Sequence, residues 1–207
     1  MPRPANPRVR ESLLDAGERL IHEHGYNGVG VKEIVDTAGV PKGSFYSYFD
    51  SKEALVVEVI QRYWDAVEAR HGALLEDEAA PPLERIRTFF DAMADDHELR
   101  KFTQGCLLGS MALELSNSSP ATRTTLTGLF DRWETRIAAT LALAQERGDL
   151  APGRDVQELA AAALEAWEGA AMRGKVQRDR TPYERFARIT LPSLLGEIVG
   201  DKTTGRL

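Results

Sequence analysis

Apolar residues recur along most of the chain at steps of three and four positions, the spacing that places them on one helix face. The first such stripe consists of Val9, Leu13, Ala16 and Leu20, and it ends at Gly25. No stretch shows the sustained alternation of apolar and polar residues that is typical of a strand. The pattern therefore predicts an all-α protein.

Segments rich in Gly, Pro, Asn and Ser separate the stripes, and these residue types end helices. Residues 72–82 look like a connection, and Pro192 should kink or end the last helix. Three short helices before residue 50 and six mostly longer ones after it predict a small domain, 1–50, and a larger helical one, 51–207. The predicted helices cover residues 9–24, 31–38, 42–48, 51–71, 83–97, 105–115, 120–147, 155–177 and 182–199.

The composition excludes several classes of protein. No apolar run approaches the roughly 18 residues that cross a bilayer, and no apolar segment follows Arg3 as it would in a secretory signal. We therefore expect a cytoplasmic protein. A net charge of −6, from 26 basic and 32 acidic residues, does not by itself indicate nucleic acid. A DNA-binding chain of this composition must place its positive charge on one face.

A metal or disulfide site is not expected. Cys106 is the one cysteine of the sequence, so neither an intramolecular disulfide nor a Cys-based zinc site can form. His22 and His24 lie two positions apart and point in different directions on a helix. We therefore predict no metal site, and no residue pattern indicates a cofactor.

Residues 31–46 read as a helix, a tight turn and a second helix. Gly39 can adopt the positive φ that such a turn requires, and Val40 can fill the angle between the helices. A second helix of about seven residues is on the order of 10 Å long, which suits end-on entry into a major groove. The alternative is a plain three-helix bundle.

Two lysines stand in the first turn of a helix, where the helix dipole disfavours a cation. They are Lys42 and Lys52, and a bound phosphate would turn this conflict into an attraction. Asp50 or Ser51 can cap the helix that contains Lys52, and Glu53 stands at capping-box spacing from Asp50. The lysines could equally be incidental surface charges.

The segment resembles the signature of the TetR family of transcriptional regulators. The matching residues are Gly25-Tyr26, Ile34 to Ala38 and the run from Gly39 to Leu55. The remaining residues fit the family's helical sensor domain in length and helix count. The resemblance implies a helix-turn-helix domain over 1–50 and a ligand-sensing, dimerising domain over 51–207. It further implies a non-enzymatic repressor that binds a palindromic operator as a dimer until an inducer releases it.

The resemblance also implies which residues meet DNA. The positions that match base-facing residues of the family are Lys32, Lys42 and Gly43. The positions that match mostly phosphate-holding residues are Ser44, Tyr46, Tyr48 and Lys52, and Tyr46 can also touch a thymine methyl group.

The chain departs from the family pattern at two points. Many members have two hydroxyl residues where this sequence has Val29 and Gly30, and one of those hydroxyls caps the second helix. Gly30 is an acceptable cap, although it loses a side-chain phosphate contact. Ser47, also expected to face DNA, replaces what is often a larger aromatic residue or His. The operator sequence therefore cannot be transferred from a relative.

The last two long helices carry small and apolar side chains that suit close helix packing. This pattern fits a monomer core as well as it fits a subunit interface, whereas the family pairs these helices into a four-helix dimer interface. The residues are Leu159, Ala160 to Leu164, Ala166, Trp167, Ala170, Ala171, Tyr183, Phe186, Ile189, Thr190 and Leu194.

An inducer pocket would need apolar walls and a few polar groups. The aromatic and methionine side chains of the middle helices are mostly core, and about half could line a cavity. The candidates are Trp64, Phe102, Met111, Trp133, Trp167 and Met172.

Cys106 follows Gly105 at the predicted start of a helix, where unpaired N–H groups stabilise a thiolate. The alternative is a buried, inert thiol. An enzyme with Cys106 as its nucleophile is disfavoured, because no base with a partner is evident nearby.

Residues 105–110 and 169–175 resemble a subgroup of the family, the electrophile-responsive repressors of N-ethylmaleimide-reductase-type genes. In that subgroup a cysteine and a lysine at the positions of Cys106 and Lys175 lie together. The resemblance implies that Cys106 senses quinones, aldehydes or hypochlorite. A non-covalent apolar inducer, with Cys106 only structural, stays open. In either case the helix from Ser51 to His71 is the expected lever between the domains.

Overall fold

The computed structural model describes residues 6–196, apart from the side chain of Lys42. These residues form helices and no strand, which confirms the predicted fold class. None of the described helices is both long and apolar enough to span a bilayer. The elements are α1 (Pro7–His24), α2 (Val31–Ala38), the 3₁₀ helix η1 (Lys42–Ser47), α3 (Lys52–Glu76), α4 (Pro82–Leu99), α5 (Leu107–Leu115), α6 (Pro120–Arg147), α7 (Val156–Gln177), α8 (Thr181–Arg185), the π turn η2 (Phe186–Thr190) and α9 (Leu191–Leu195).

The chain forms two compact units that are each discontinuous in sequence. Unit 1 comprises the residues up to Glu68 and Cys106–Phe130, and unit 2 comprises Ala69–Gly105 and the residues from Asp131 onward. α5 and the beginning of α6 thus belong with α1 and α2. This grouping differs from the predicted domains, 1–50 and 51–207. Those domains were defined by DNA-binding and sensing roles, and they stay a prediction.

In unit 1, α1 packs against α2 and α3. The side chain of Asn6 caps α1 by accepting a hydrogen bond from the backbone N–H of Arg8 at 3.1 Å. At Gly17 the neighbouring helix comes very close, since a Cβ there would lie 2.6 Å from Leu55 Cδ2. Near the end of α1, the His22 ring meets the Tyr63 ring edge to face. These contacts hold α3 along α1, and α2 packs against the same helix α1.

The helix predicted to end at His71 continues to Glu76, so residues 72–76 are not part of the connection. Gly72 lies inside α3, where its carbonyl accepts a hydrogen bond from Arg136 Nη2 at 3.0 Å. Leu75 is buried one turn later and anchors the extension. Tertiary packing therefore overrides the low helix propensity of glycine.

In unit 2 a cluster of buried aromatic rings joins α4, α7, α8 and η2. The ring of Trp167 lies with its centroid 5.2 Å from Phe90, 5.3 Å from Tyr183 and 5.6 Å from Phe186. His97 Nδ1 lies 2.7 Å from the Tyr183 hydroxyl oxygen. A Cβ on Gly174 would lie 2.2 Å from the Tyr183 ring, so only glycine permits this approach of α8 to α7.

A charged cluster joins the end of α3 to α4. Asp96 Oδ2 lies 3.0 Å from His71 Nε2 and also accepts a hydrogen bond from Arg70. Burial raises the pKa of Asp96, but the hydrogen bonds and charges of His71 and Arg70 outweigh it and hold this pKa below its usual value. The Asp96 carboxylate therefore stays ionised to a lower pH than an ordinary aspartate does.

The last predicted helix is interrupted and ends earlier than expected. α8 passes into η2, then α9 ends at Leu195, where Gly196 adopts the left-handed conformation with φ 75°. Pro192 has no N–H to donate to the carbonyl of Arg188, so the α-helical pattern cannot continue unchanged through it. The irregular turn lies directly before Pro192, where the sequence predicted a disturbance. Residues 197–199 of the predicted helix lie outside the described residues.

Candidate nucleic-acid interface and thiol site

α2 and η1 form a helix-turn-helix with a glycine at each end of the first helix. Gly30 is the N-cap residue, with φ −98° and ψ 155° and no side chain to cap the helix. Gly39 adopts the predicted left-handed conformation, with φ 66° and ψ 30°. The backbone N–H of Val40 then donates to the carbonyl of Val35 at 3.1 Å, which closes the turn.

The second helix of the motif is a 3₁₀ helix rather than an α-helix. Ser44 N–H donates to the carbonyl of Pro41 at 2.8 Å, and Tyr48 N–H to that of Phe45 at 2.9 Å. Hydrogen bonds between residues i and i+3 suit a short segment of six residues. This segment contains Gly43 and Ser44, both weaker helix formers than alanine. At about 2 Å per residue, η1 is on the order of 12 Å long. The segment is thus close to its expected length, but it is more tightly wound.

Phe45 and Phe49 fix the inner side of η1. Phe45 is fully buried, Phe49 is 3% exposed, and their ring centroids lie 5.6 Å apart. Burial of each ring contributes roughly 2–3 kcal/mol to stability. Both rings therefore belong to the core, and they fix which side of η1 is exposed.

The outer side of η1 carries most of the residues that the sequence assigned to DNA. Gly43 and Ser47 are exposed, and Tyr46 is 66% exposed. Ser44 and Tyr48 are half-buried at its edges. Lys42 begins η1, but its side chain lies outside the described part of the structure. The exposed side is therefore open to a large partner.

The hydroxyl oxygen of Tyr48 accepts a hydrogen bond from the backbone N–H of Asn6 at 3.0 Å. This bond joins the end of η1 to the beginning of α1. The hydroxyl keeps its own hydrogen, which can be donated to a phosphate oxygen.

Lys32 is exposed on α2 and already has a partner in the protein. Its Nζ lies 2.6 Å from Asp36 Oδ2, one turn further along the helix. The hydrogen bond and the charge of Asp36 raise the pKa of Lys32. A contact from Lys32 to a base would therefore require this ion pair to break. Breaking it costs little free energy, because the pair is exposed.

Lys52 holds the loop between α1 and α2. Its Nζ donates to the carbonyls of Tyr26 and Val29, both at 2.8 Å, and lies 3.8 Å from the centroid of the Tyr26 ring. Burial lowers the pKa of Lys52, and the negative charge of Glu114 opposes this shift. Two of the three ammonium hydrogens are used inside the protein, so one is left for a phosphate.

Ser51, not Asp50, caps α3, because Ser51 Oγ accepts a hydrogen bond from the backbone N–H of Ala54 at 3.0 Å. Glu53 does not complete a capping box. Its carboxylate instead accepts a hydrogen bond from Ser119, just before α6. Of the two caps that the sequence offered, Ser51 is therefore the one present, and the expected capping box of Asp50 with Glu53 is not formed.

Glu114, on α5, binds the α1–α2 loop, and sequence reasoning did not single it out. Its Oε1 accepts from Tyr26 N–H at 3.1 Å, and its Oε2 accepts from the backbone and side-chain N–H groups of Asn27 at 2.9 and 3.1 Å. A Cβ on Gly25, which has φ +79°, would lie 2.6 Å from Glu114 Oε1. We call these three hydrogen bonds the Glu114 clasp. It ties α5 to the helix-turn-helix within unit 1.

Cys106 stands at the N-terminus of α5, at the predicted beginning of a helix. It is the N-cap residue, with φ −64° and ψ 124°, and its side chain is 6% exposed. Its carbonyl accepts hydrogen bonds from the backbone N–H and the hydroxyl of Ser110, at 3.1 and 3.0 Å. Reactive thiols are commonly more exposed, so this position favours small reagents over bulky ones. Trp64 and Met111 are buried in the same unit.

The other predicted sensor residues belong to unit 2. Trp133 and Trp167 are buried, and the Phe102 ring stacks on Tyr183 at 5.7 Å. Met172 is 54% exposed and does not join the buried set. Lys175 is half-buried, and its Cδ lies 3.6 Å from where a Cβ on Gly105 would stand.

Within residues 6–196, no group of three or more His, Cys, Asp or Glu residues is arranged to hold a metal ion.

Comparison with known proteins gives matches along most of the chain. Residues 13–59 match the family described as bacterial regulatory proteins, tetR family, and residues 82–190 match the tetracyclin repressor-like C-terminal domain. The chain is 34% identical over 191 residues to the HTH-type transcriptional repressor DhaR of Mycobacterium sp. (strain GP1), covering 92% of this chain and 94% of that protein.

The chain is 31% identical over 181 residues to the HTH-type transcriptional repressor NemR of Escherichia coli (strain K12), covering 85% of this chain and 88% of NemR. The crystal structure of regulatory protein TetR from Rhodobacter sphaeroides superposes with a TM-score of 0.84 at 33% identity. That match covers 90% of this chain and 98% of the other.

Proposed function

Because the chain belongs to the TetR family of bacterial transcriptional regulators, we propose that it is a dimeric repressor that binds a palindromic operator until an inducer releases it. The family consists of regulators and not of enzymes, in agreement with the expectation from the sequence. The observation that carries the proposal is the helix-turn-helix with its left-handed Gly39 and its exposed η1 side. As a DNA-binding regulator it would act in the cytoplasm, where bacterial DNA lies.

In this proposal η1 enters the major groove with its exposed side towards the bases. Gly43, Tyr46 and Ser47 face the base edges or the adjacent backbone, because they are the exposed residues of η1. Tyr48 and Lys52 donate their remaining hydrogens to phosphates, which fixes the register of the protein on the duplex.

Fluorescence anisotropy with the DNA upstream of the protein's own gene tests this contact, at a fixed salt concentration. Tyr46→Ala should weaken binding by roughly tenfold, the cost of one good contact at DNA. Leu113→Ala, at an exposed position of the same unit on α5, is the control and should bind as the wild type does. Equal affinity of the Tyr46 and Leu113 variants would contradict the assigned orientation of η1.

A dimer is supported by the outer side of α7 and the following elements. Ala160, Ala163, Ala170 and Ala171 are buried within the protomer, so the small residues of α7 serve partly as the monomer core that the sequence left open. A second stripe stays uncovered, in which Met172 is 54%, Val176 75% and Ile189 45% exposed. Two recognition segments held by such an interface would read a palindrome. We assign this stripe to the partner subunit.

For the inducer, we propose a small electrophile or oxidant that modifies Cys106. In the addition of an activated alkene, the thiolate sulfur forms a bond to one alkene carbon, and the neighbouring carbon takes up a proton. Because the Cys106 side chain is buried, added atoms require its surroundings to move. Support comes from the similarity to NemR, of which a crystal structure described as the reduced form is known, and from the half-buried Lys175 beside Gly105.

α5 provides a route from the thiol to the DNA-binding segment. Cys106 caps its N-terminus, and Glu114 near its C-terminus holds the loop that precedes α2. A shift of α5 on modification would strain or break the Glu114 clasp and displace α2 and η1. The inducer thereby favours a state with a different placement of the recognition segments.

The experiment compares the wild type with Cys106→Ser in the same anisotropy assay, before and after N-ethylmaleimide or dilute hypochlorite. Because the chain has one cysteine, the serine variant removes every thiol at once. Release of the wild type, together with retention by the variant, is the expected result. If both proteins release the DNA, the reagent acts at a residue other than Cys106. If both proteins keep the DNA bound, the thiol switch is excluded.

The second candidate is a repressor released by a non-covalent apolar inducer. The observation that favours it is the aromatic cluster around Trp167 in unit 2, whose rings could separate to admit an apolar molecule. In that case Cys106→Ser would respond to the natural inducer as the wild type does. Operator binding would be the same under both mechanisms.

A further inference from the structure

A surface groove of about 290 Å³ lies in unit 2, between the end of α3, the following loop, the beginning of α4 and the later part of α6. Leu75 and Leu143 contribute apolar side chains to it, and Arg85 and Arg136 contribute guanidinium groups. None of the residues that line the groove is among those assigned to DNA or to the thiol site.

Arg85 is the unusual residue of this groove, because it is 6% exposed. Its Nε donates to the carbonyl of Ala80 at 2.7 Å. Among residues 6–196 no carboxylate forms an ion pair with Arg85, and Nη1 and Nη2 make no hydrogen bond. A buried arginine is ordinarily paired. The groove is the space into which its remaining donors open.

The position of Arg85 in α4 adds to the electrostatic cost of its buried charge. It is the fourth residue of the helix, whose first turn has no side-chain cap. The helix dipole makes this end favourable for an anion and unfavourable for a cation. An anion beside the guanidinium would therefore compensate both the buried charge and the dipole.

Arg136 differs from Arg85 in that its charge is already compensated. Its Nη2 lies 2.7 Å from Glu76 Oε1 and donates to the carbonyl of Gly72 at 3.0 Å. The second acid that lines the groove, Glu78, is exposed. The charge in the groove that lacks a partner thus belongs to Arg85.

We propose that this groove binds a small monocarboxylate with a short aliphatic chain. Nη1 and Nη2 of Arg85 donate to the two carboxylate oxygens, a bidentate pairing for which the planar guanidinium is suited. The aliphatic chain lies against Leu75 and Leu143. A phosphate dianion fits less well, because Glu76 and Glu78 repel its second charge more strongly and it leaves the apolar wall uncovered.

Isothermal titration calorimetry on the full chain tests the site with butyrate as the probe. Butyramide, which has nearly the same shape and no charge, and inorganic phosphate are titrated under the same conditions. Butyrate should bind saturably, butyramide should give no saturable heat, and phosphate should bind more weakly. Absence of saturable butyrate binding, or tighter binding of phosphate, would overturn the proposal.

Two variants act on the site by different means. Arg85→Gln removes the charge and should weaken butyrate binding at least about tenfold. Leu143→Trp leaves Arg85 in place, fills the groove from a residue that is 43% exposed, and should abolish binding. Leu99→Trp, at a position of unit 2 that is 82% exposed, is the matched control and should bind butyrate normally. If Arg85→Gln does not fold, Leu143→Trp still decides, and unchanged binding in it would refute the site.

Discussion

Replacement of Glu114 by alanine should uncouple operator release from the thiol while leaving the thiol itself in place. Glu114→Ala removes all three hydrogen bonds of the clasp, at 2.9–3.1 Å, which hold the backbone of Tyr26 and both the backbone and the side chain of Asn27. The α1–α2 loop would keep the two hydrogen bonds from Lys52. The helix-turn-helix should therefore stay folded, but a shift of α5 should no longer displace it.

The size of the effect follows from the clasp. Hydrogen bonds to a carboxylate contribute more than neutral ones, but these are partly exposed, so about 0.5–1 kcal/mol each is appropriate. Their sum of about 2 kcal/mol corresponds to a factor of roughly 30 in an equilibrium constant. The ratio of operator dissociation constants after and before thiol modification should fall by up to this factor in the variant, because the clasp cannot transmit more free energy than it contains.

The assay is operator anisotropy with and without N-ethylmaleimide, and mass spectrometry verifies that Cys106 is modified to the same extent in each variant. Glu146→Ala is the control, because Glu146 is an exposed acid that makes no ion pair within the described residues. An unchanged response in Glu114→Ala, or an equal loss of response in Glu146→Ala, would refute the proposed route through α5.

Gly39→Ala should cost about 1 kcal/mol or more of unfolding free energy in urea, because φ is +66° there. Gly128→Ala, within a helix and with open space around it, should instead stabilise by about 0.5–1 kcal/mol, and the same sign for both would contradict this account. Val176→Glu should convert dimers to monomers in light scattering, whereas Gln177→Glu should not. If both variants remain dimeric, Val176 does not lie in the interface. Because the pKa of Asp96 lies below 3.8, its carboxylate stabilises the fold above that pH and loses this contribution as the pH falls through its folded pKa. Asp96→Asn should thus lower the melting temperature at pH 7, and this loss should shrink as the pH falls below 3.8. A loss that does not change with pH would mean that the effect comes from packing.

The sequence predicted local structure well wherever a single segment carries the signal. α6 has the predicted bounds, because it begins at Pro120 and is followed directly by Gly148, whose φ of 78° interrupts the helix. The turn at Gly39 was predictable for the same reason. By contrast, the end of α3 depends on Arg136, which lies 64 positions from Gly72.

The contacts that would couple sensing to DNA were not predictable, because they join residues far apart in the chain. Glu114 is one acid among 32, and nothing in its neighbourhood indicates a partner 87 positions away. Lys52 was assigned to phosphate from its place in a helix, whereas its contacts to Tyr26 and Val29 depend on the path of a loop. The face that η1 exposes could be derived, since Phe45 and Phe49 mark its inner side.

The discontinuity of unit 1 constrains how the protein is made. The ribosome delivers the chain from the N-terminus, so the helix-turn-helix emerges first, but the α5 residues that complete its unit are synthesised only after residues 69–105 of the other unit. Folding of an N-terminal domain during synthesis, the usual order in chains of several domains, is therefore incomplete here until Phe130 has left the ribosome. Until then the loop at Asn27 lacks the carboxylate of Glu114. A nascent chain stalled before residue 106 would carry a DNA-binding segment that is not yet held in place.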